Sequence, residues 1–595
     1  MMYCKRLAAL LAALSLAACA QQAVKPAAES AGTGTAPAIA ATEDGREASR
    51  QIAHDLFVEN LPPPNVELTD ELLFQFLIAE VAGQRGNLPL ATQTYLEMAK
   101  STRDPRVVQR ATEIALFARQ PRIALEGAEL WIALNPDSFR AHQIAATLLV
   151  SNKQGKEAKQ HLEKLIAVAG EHVDHAFMQV NGILARYPDR QEALVMMRDL
   201  AKNYQTVPEA RLAVAQVAYS AGENQDALEE THAALKLRAD WETAAVFRAQ
   251  VLMRMQGEDA AAASLQDYLR AYPKAKDARL NLARMLAAGK RYAESRSEFQ
   301  KLLEEFPDNA DVVYAIGLLS QRLHDYDMAE TQFKRLLDMG YRDPDQVRLY
   351  LGQLNEARKQ YDRALEWYGS VAPGSEDYWV AQTRIAIALG RQGKVLEGRE
   401  SLHRLTPQNN QQRVQLIQAE AQILREHGEY QAVFDLLGGA LEKLPNHPEL
   451  MYDYAMAAEK IDRLDLLEIT LRKLIQLQPD NAHAYNGLGY TLADRTQRYQ
   501  EALELIQKAL ELSPDDFAII DSMGWVQYRM GNVKQSLEYL RRAYDDTQDP
   551  EVAAHLGEVL WAQGERREAE KIWRDTLKDN PDNPVLFDVI KKFLP

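Results

Sequence analysis

The chain has 595 residues, 47% of them hydrophobic, and its 85 acidic side chains outnumber 69 basic ones for a formal net charge of −16. That balance argues against nucleic acid and against lying flat on an anionic membrane, and it leaves protein partners with basic or apolar surfaces. With only two cysteines, Cys4 and Cys19, no disulfide framework is available, so helix packing must supply the stability.

Residues 1–18 read as a targeting segment. Lys5 and Arg6 form a basic start, and Leu7 to Leu16 is an apolar run of ten, too short to span a bilayer. The run ends Leu16-Ala17-Ala18-Cys19. That order resembles the lipobox of bacterial lipoproteins. The resemblance implies cleavage before Cys19, a diacylglycerol on its sulfur and an acyl group on its new amine. The alternative is an ordinary signal peptide cut after an A-x-A-like site, with Cys19 incidental. Ala20, Gln21 and Gln22 lack the aspartate that retains such lipoproteins in the inner membrane, so the resemblance implies the outer membrane, facing the periplasm. Residues 19–46 are rich in Ala, Thr, Gly, Ser and Pro without apolar periodicity, which reads as a disordered tether. Within residues 47–64 the spacing predicts a first helix from Ala48 to Val58, stopped by Pro62-Pro63-Pro64.

From residue 65 to 582 the chain repeats. The clearest unit surrounds Gly489. Tyr485, Leu488 and Leu492 recur at helical spacing, then Ala502, Leu505, Ile506, Ala509 and Leu510, with a polar segment between and Pro514 after. Two amphipathic helices are predicted, with Gly489 facing Ala502 and Ala509 where the backbones approach. The same small position falls at Gly317, Gly352, Ala386, Ala421, Ala455, Gly489, Gly524 and Gly557, at intervals of 33 to 35 residues. Upstream the phase continues through Ala79, Thr112, Ala146, Asn181, Ala215, Ala249 and Ala283, with Thr112 and Asn181 departing from the small residue. About fifteen helix pairs are expected, the N-terminal ones degenerate. Longer polar joints fall at residues 369–377 and 406–412, and residues 583–595 supply a capping helix. A period near 34, small residues at the crossing, an aromatic or Leu four places after the second small residue and a closing proline resemble the tetratricopeptide repeat (TPR) family. The resemblance implies an all-α fold, a superhelical solenoid of helix hairpins.

No catalytic, metal or cofactor motif emerges. Gly487-Leu488-Gly489 follows no strand, and the repeat accounts for both glycines. His172 and His175 could share a helix face with Glu171, but they read as a solvated loop or helix end and not as a metal site. TPR proteins usually bind partners along their first helices. The phase places Asn486, Tyr490, Asp521, Trp525, Tyr528, Glu558 and Trp561 there, and aromatics beside carboxylates suit a peptide or helix with apolar and basic groups. The tryptophans equally suit gaps between neighbouring helices. Asn486 stands one residue from the family's usual asparagine place.

The layout of lipobox, Ala-rich tether and acidic repeat array resembles the TPR lipoprotein adaptors of periplasmic carboxyl-terminal processing proteases found in pseudomonads. That resemblance implies a non-enzymatic scaffold, held to the membrane by its lipid, that recruits or activates the protease and presents cell-wall hydrolases to it. Scaffolding of exopolysaccharide export, or assembly of outer-membrane proteins or pili, is the alternative.

Overall fold

The computed structural model describes residues 66–594 apart from Asp582. The expected signal segment, Cys19, the tether and the 48–58 helix lie outside the described residues. Among the described residues there are thirty-one α-helices, one short 3₁₀ turn and no strand, the all-α fold expected. The helices follow one another as fifteen consecutive pairs, most of them packed as hairpins, and then Pro584–Phe593. The chain divides into two compact units, Met1–Gln332 and Phe333–Pro595.

Local chemistry sets the helix ends. The side chains of Thr69, Asp104, Asp516, Asp549 and Asn583 each accept a backbone N–H from the first turn of the helix that follows. Prolines 105, 208, 344, 448, 550 and 584 open helices, where the missing N–H costs nothing. Gly531 turns the chain between Phe517–Arg529 and Val533–Thr547 at φ +86°, a left-handed conformation that other residues adopt only with strain.

Packing explains the period. Within a unit, each hairpin buries its inner faces on itself and its outer faces on its neighbours, so the core runs on from repeat to repeat. Ala79, Ala146, Ala215, Ala249 and Ala283, and from Gly317 onward every small position, are buried. Gly489 lies against the Ala502 carbonyl as expected, but Ile506 and Leu505, not Ala509, complete the contact. Ala509 is buried one turn further along the same helix.

The two irregular positions have local solutions. Thr112 is wholly buried and donates its hydroxyl to Val108 O at 2.8 Å. The smallness it lacks is supplied from across the hairpin by Gly127, where a Cβ would come 2.5 Å from Thr112 Oγ1. Asn181 donates Nδ2 to Gln216 Oε1 at 2.7 Å, joining the first helices of two hairpins. At the two long joints, the preceding helices Tyr361–Gly369 and Val395–His403 are cut to nine residues each.

Candidate functional site

The seven side chains singled out by the repeat phase sit on three first helices of the second unit: Ala482–Arg495, Phe517–Arg529 and Pro550–Ala562. They form two clusters.

The first cluster centres on His555, a residue the sequence reading passed over. Its Nδ1 lies 3.0 and 2.8 Å from the two carboxylate oxygens of Asp521, and its Nε2 lies 3.3 Å from the Tyr490 hydroxyl. The imidazole stacks on Trp525 with ring centroids 4.4 Å apart and planes inclined by 24°. Trp525 donates Nε1–H to Asp494 Oδ1 at 3.2 Å, and Arg529 donates to the same oxygen and to the Asp494 carbonyl. Tyr528 packs against Trp525 at 5.4 Å. Asp521 and Trp525 are each 6% exposed, so both are engaged mainly by their own chain. Asn486 is half-buried, and its Oδ1 has no hydrogen-bond partner among the described residues.

Burial alone would push the His555 imidazole down. The charge and hydrogen bond of Asp521, helped by Glu551 and Asp494, outweigh it, and the pKa is raised above its ordinary 6.5. Tyr490 is pushed up, first by burial and then by the carboxylates of Asp494 and Asp521. Burial, then Glu558, also raises Tyr528. The cluster therefore favours an imidazolium held between a carboxylate, an indole face and a phenol.

The second cluster lies at the end of the array. Trp561 packs with Trp573 at 5.9 Å and Phe593 at 5.8 Å, and the Arg566 guanidinium sits 5.1 Å from its ring. Glu558 receives Lys592 Nζ at 3.3 Å on both oxygens. The partners of Trp561 and Glu558 thus include the terminal Pro584–Phe593 helix of the same chain.

One signal pointed to His555. It follows Asp521 by 34 residues, one period, which places the two at matching heights on adjacent first helices. The stacking of Phe593 on Trp573 had no such signal, because the last helix follows no repeat register. Elsewhere, Gly487-Leu488-Gly489 lies inside a helix, and His175 faces Gln179 at 3.4 Å. Among the described residues no group of three or more His, Cys, Asp or Glu is placed to hold a metal ion.

A stack of helical hairpins with a period near 34 and polar and aromatic side chains along its first helices defines a tetratricopeptide scaffold for protein partners. The tetratricopeptide-repeat family profile matches residues 248–310, 314–377 and 465–517. Over 494 residues the chain is 34% identical to TPR repeat-containing protein PA4667 of Pseudomonas aeruginosa, covering 82% of each chain. The chain belongs to this family of TPR repeat-containing proteins. It is also 23% identical over 205 residues to the human mitochondrial import receptor subunit TOM70, 34% of each chain. A thermophilic TPR protein of Thermus thermophilus, known by crystal structure, is 21% identical with a TM-score of 0.27, covering 29% of this chain and 93% of that one.

Proposed function

We propose that this chain is a lipid-anchored outer-membrane adaptor facing the periplasm. It recruits or activates a carboxyl-terminal processing protease and presents cell-wall hydrolases to it. The observation that carries the reading is the repeat array itself, hairpin after hairpin with no other kind of domain among the described residues. TPR repeats are in general non-catalytic protein-binding scaffolds, and the proposed role includes no hydrolytic activity of the chain's own. The Leu16-Ala17-Ala18-Cys19 order, the tether-like composition of residues 19–46 and the excess of acidic side chains support the anchor and the choice of protein partners. The mechanism is one of effective concentration. Protease and substrate held on one scaffold meet as though each were present at roughly millimolar concentration, with no new bond chemistry.

Reconstitution tests this. The purified chain alone should leave a cell-wall hydrolase intact, and adding it to its processing protease should accelerate degradation of that hydrolase. An unchanged rate, with capture of polysaccharide-synthesis or outer-membrane assembly proteins instead, would overturn the reading.

A further inference from the structure

One pair of side chains in the first unit has the geometry of metal ligands. His142 and His161 stand on the two helices of one hairpin, Phe139–Ser151 and Gly155–Val168, with Nδ1 atoms 3.0 Å apart and ring centroids 5.3 Å apart. They are 19 positions apart, so no short motif in the sequence announces them. His142 Nε2 lies 2.9 Å from the Pro136 carbonyl oxygen. A carbonyl only accepts, so Nε2 carries the His142 proton, and Nδ1 turns a bare lone pair toward His161. A ligating histidine commonly has this arrangement, with one N–H held by a backbone carbonyl and the other nitrogen offered to the ion. Burial lowers the pKa of both rings, which favours the neutral form that a metal requires. His142 is buried and His161 half-buried, so the pair is reached from the His161 side.

We propose that His142 and His161 bind a divalent ion of the zinc and copper class through their Nδ1 atoms, and so cross-link the two helices of this hairpin. Imidazole suits zinc, copper and nickel, whereas magnesium and calcium take oxygen ligands. Two imidazoles on one ion, at about 2.05 Å and a tetrahedral angle, hold their nitrogens about 3.3 Å apart and their ring centres about 5 Å apart. The rings therefore need only pivot in place, each turning its Nδ1 toward the common ion. Their mutual hydrogen bond is replaced. The proton on His161 Nδ1 passes through water to His161 Nε2, which no hydrogen bond among the described residues engages, and no net proton is released. Water fills the remaining positions, since no third His, Cys, Asp or Glu among the described residues converges there. The site holds whether or not the chain is a protease adaptor.

The test is calorimetric titration of Zn²⁺ into the untagged full chain carrying Cys4→Ser and Cys19→Ser, so that no thiol competes. One tightest equivalent of Zn²⁺ should bind, and Mg²⁺ should not. His142→Gln and His161→Gln should each weaken that equivalent at least about tenfold. The double variant His172→Gln with His175→Gln should leave it unchanged. Because His142 is buried, His161→Gln at the half-buried ring is the deciding variant, and its circular dichroism should stay helical. Zn²⁺ should also raise the melting temperature of the parent chain and not that of His161→Gln, as an ion that binds only the folded hairpin does. No binding by the parent chain would overturn the proposal and leave the pair as a hydrogen bond alone. So would an equivalent that survives His161→Gln, or one lost with His172 and His175, since either would place the ion elsewhere.

Discussion

Gly489 and Gly439 make a matched pair for testing the packing argument. Both lie inside helices, Ala482–Arg495 and Tyr430–Lys443, and neither has a positive φ. A Cβ on Gly439 would meet nothing within 4 Å. A Cβ on Gly489 would come 2.7 Å from Ile506 Cγ1, 3.0 Å from the Ala502 carbonyl oxygen and 3.2 Å from Leu505 Cβ. Carbon atoms pack at about 3.5–4.0 Å, so the first contact must lengthen by roughly 1 Å. The Ala502 oxygen belongs to the partner backbone, so that contact opens only if the helices separate. Alanine in place of glycine favours a helix by about 1 kcal/mol, and this is the whole effect expected of Gly439→Ala. In Gly489→Ala the same gain is opposed by an overpacking cost of about 1–3 kcal/mol. Gly439→Ala should therefore raise the melting temperature. Gly489→Ala should lower it or at best leave it unchanged, and Gly489→Leu should lower it further. Because a repeat array need not unfold in one step, amide exchange should accompany the melts. Faster exchange in Gly489→Leu should be confined to the Ala482–Arg495 and Tyr499–Leu512 helices and their neighbours. A Gly489→Ala variant as stable as Gly439→Ala would refute the close approach at this crossing.

Other outcomes follow from the clusters and the N-terminus. Trp525→Ala should cost about 3–5 kcal/mol of stability, because the indole is a buried packing residue. Trp525→Phe keeps the stack on His555 and loses only the bond to Asp494, so it is the variant in which partner capture should be measured against melting. The raised pKa of His555 means that its stabilisation is full below about 6.5 and fades as pH rises through the higher folded value. Comparing melts of wild type and His555→Gln from pH 6 to 9 should show the gap narrowing upward, and a gap that widens would contradict the imidazolium. The opposite sign is expected of the pair formed by buried His142 and half-buried His161. Their Nδ1 atoms lie 3.0 Å apart, and burial lowers both pKa values. Their contribution is present above about 6.5 and is lost as pH falls through the lowered folded values, which His142→Gln should reveal in melts at pH 5 and 7.5. Under the proposed anchoring, Cys19→Ser should abolish acyl labelling and release the chain from sedimented outer membranes. Normal maturation and sedimentation of that variant would exclude the lipobox.

Much of the architecture was legible because it is written locally and repeated. One small residue about every 34 positions marks each helix crossing, and caps such as Asp516 and Asp549 act within three residues of themselves. Even Thr112, an apparent break in the pattern, stayed in phase, since the space it takes was returned by Gly127 across the hairpin. The seven candidate side chains were placed on the right helices by the same phase. What each one touches was a different matter. The period gives the height of a residue on its helix, but the rotation and spacing of adjacent hairpins decide whether an indole meets solvent or an imidazole. Packing brought Trp525 onto His555 and closed Asp521 against it, and it set Trp561 and Glu558 beside Phe593 and Lys592 of a helix outside the repeat. These contacts join residues about 30 or more positions apart whose energies depend on tenths of an ångström, a scale on which a one-dimensional period carries no information.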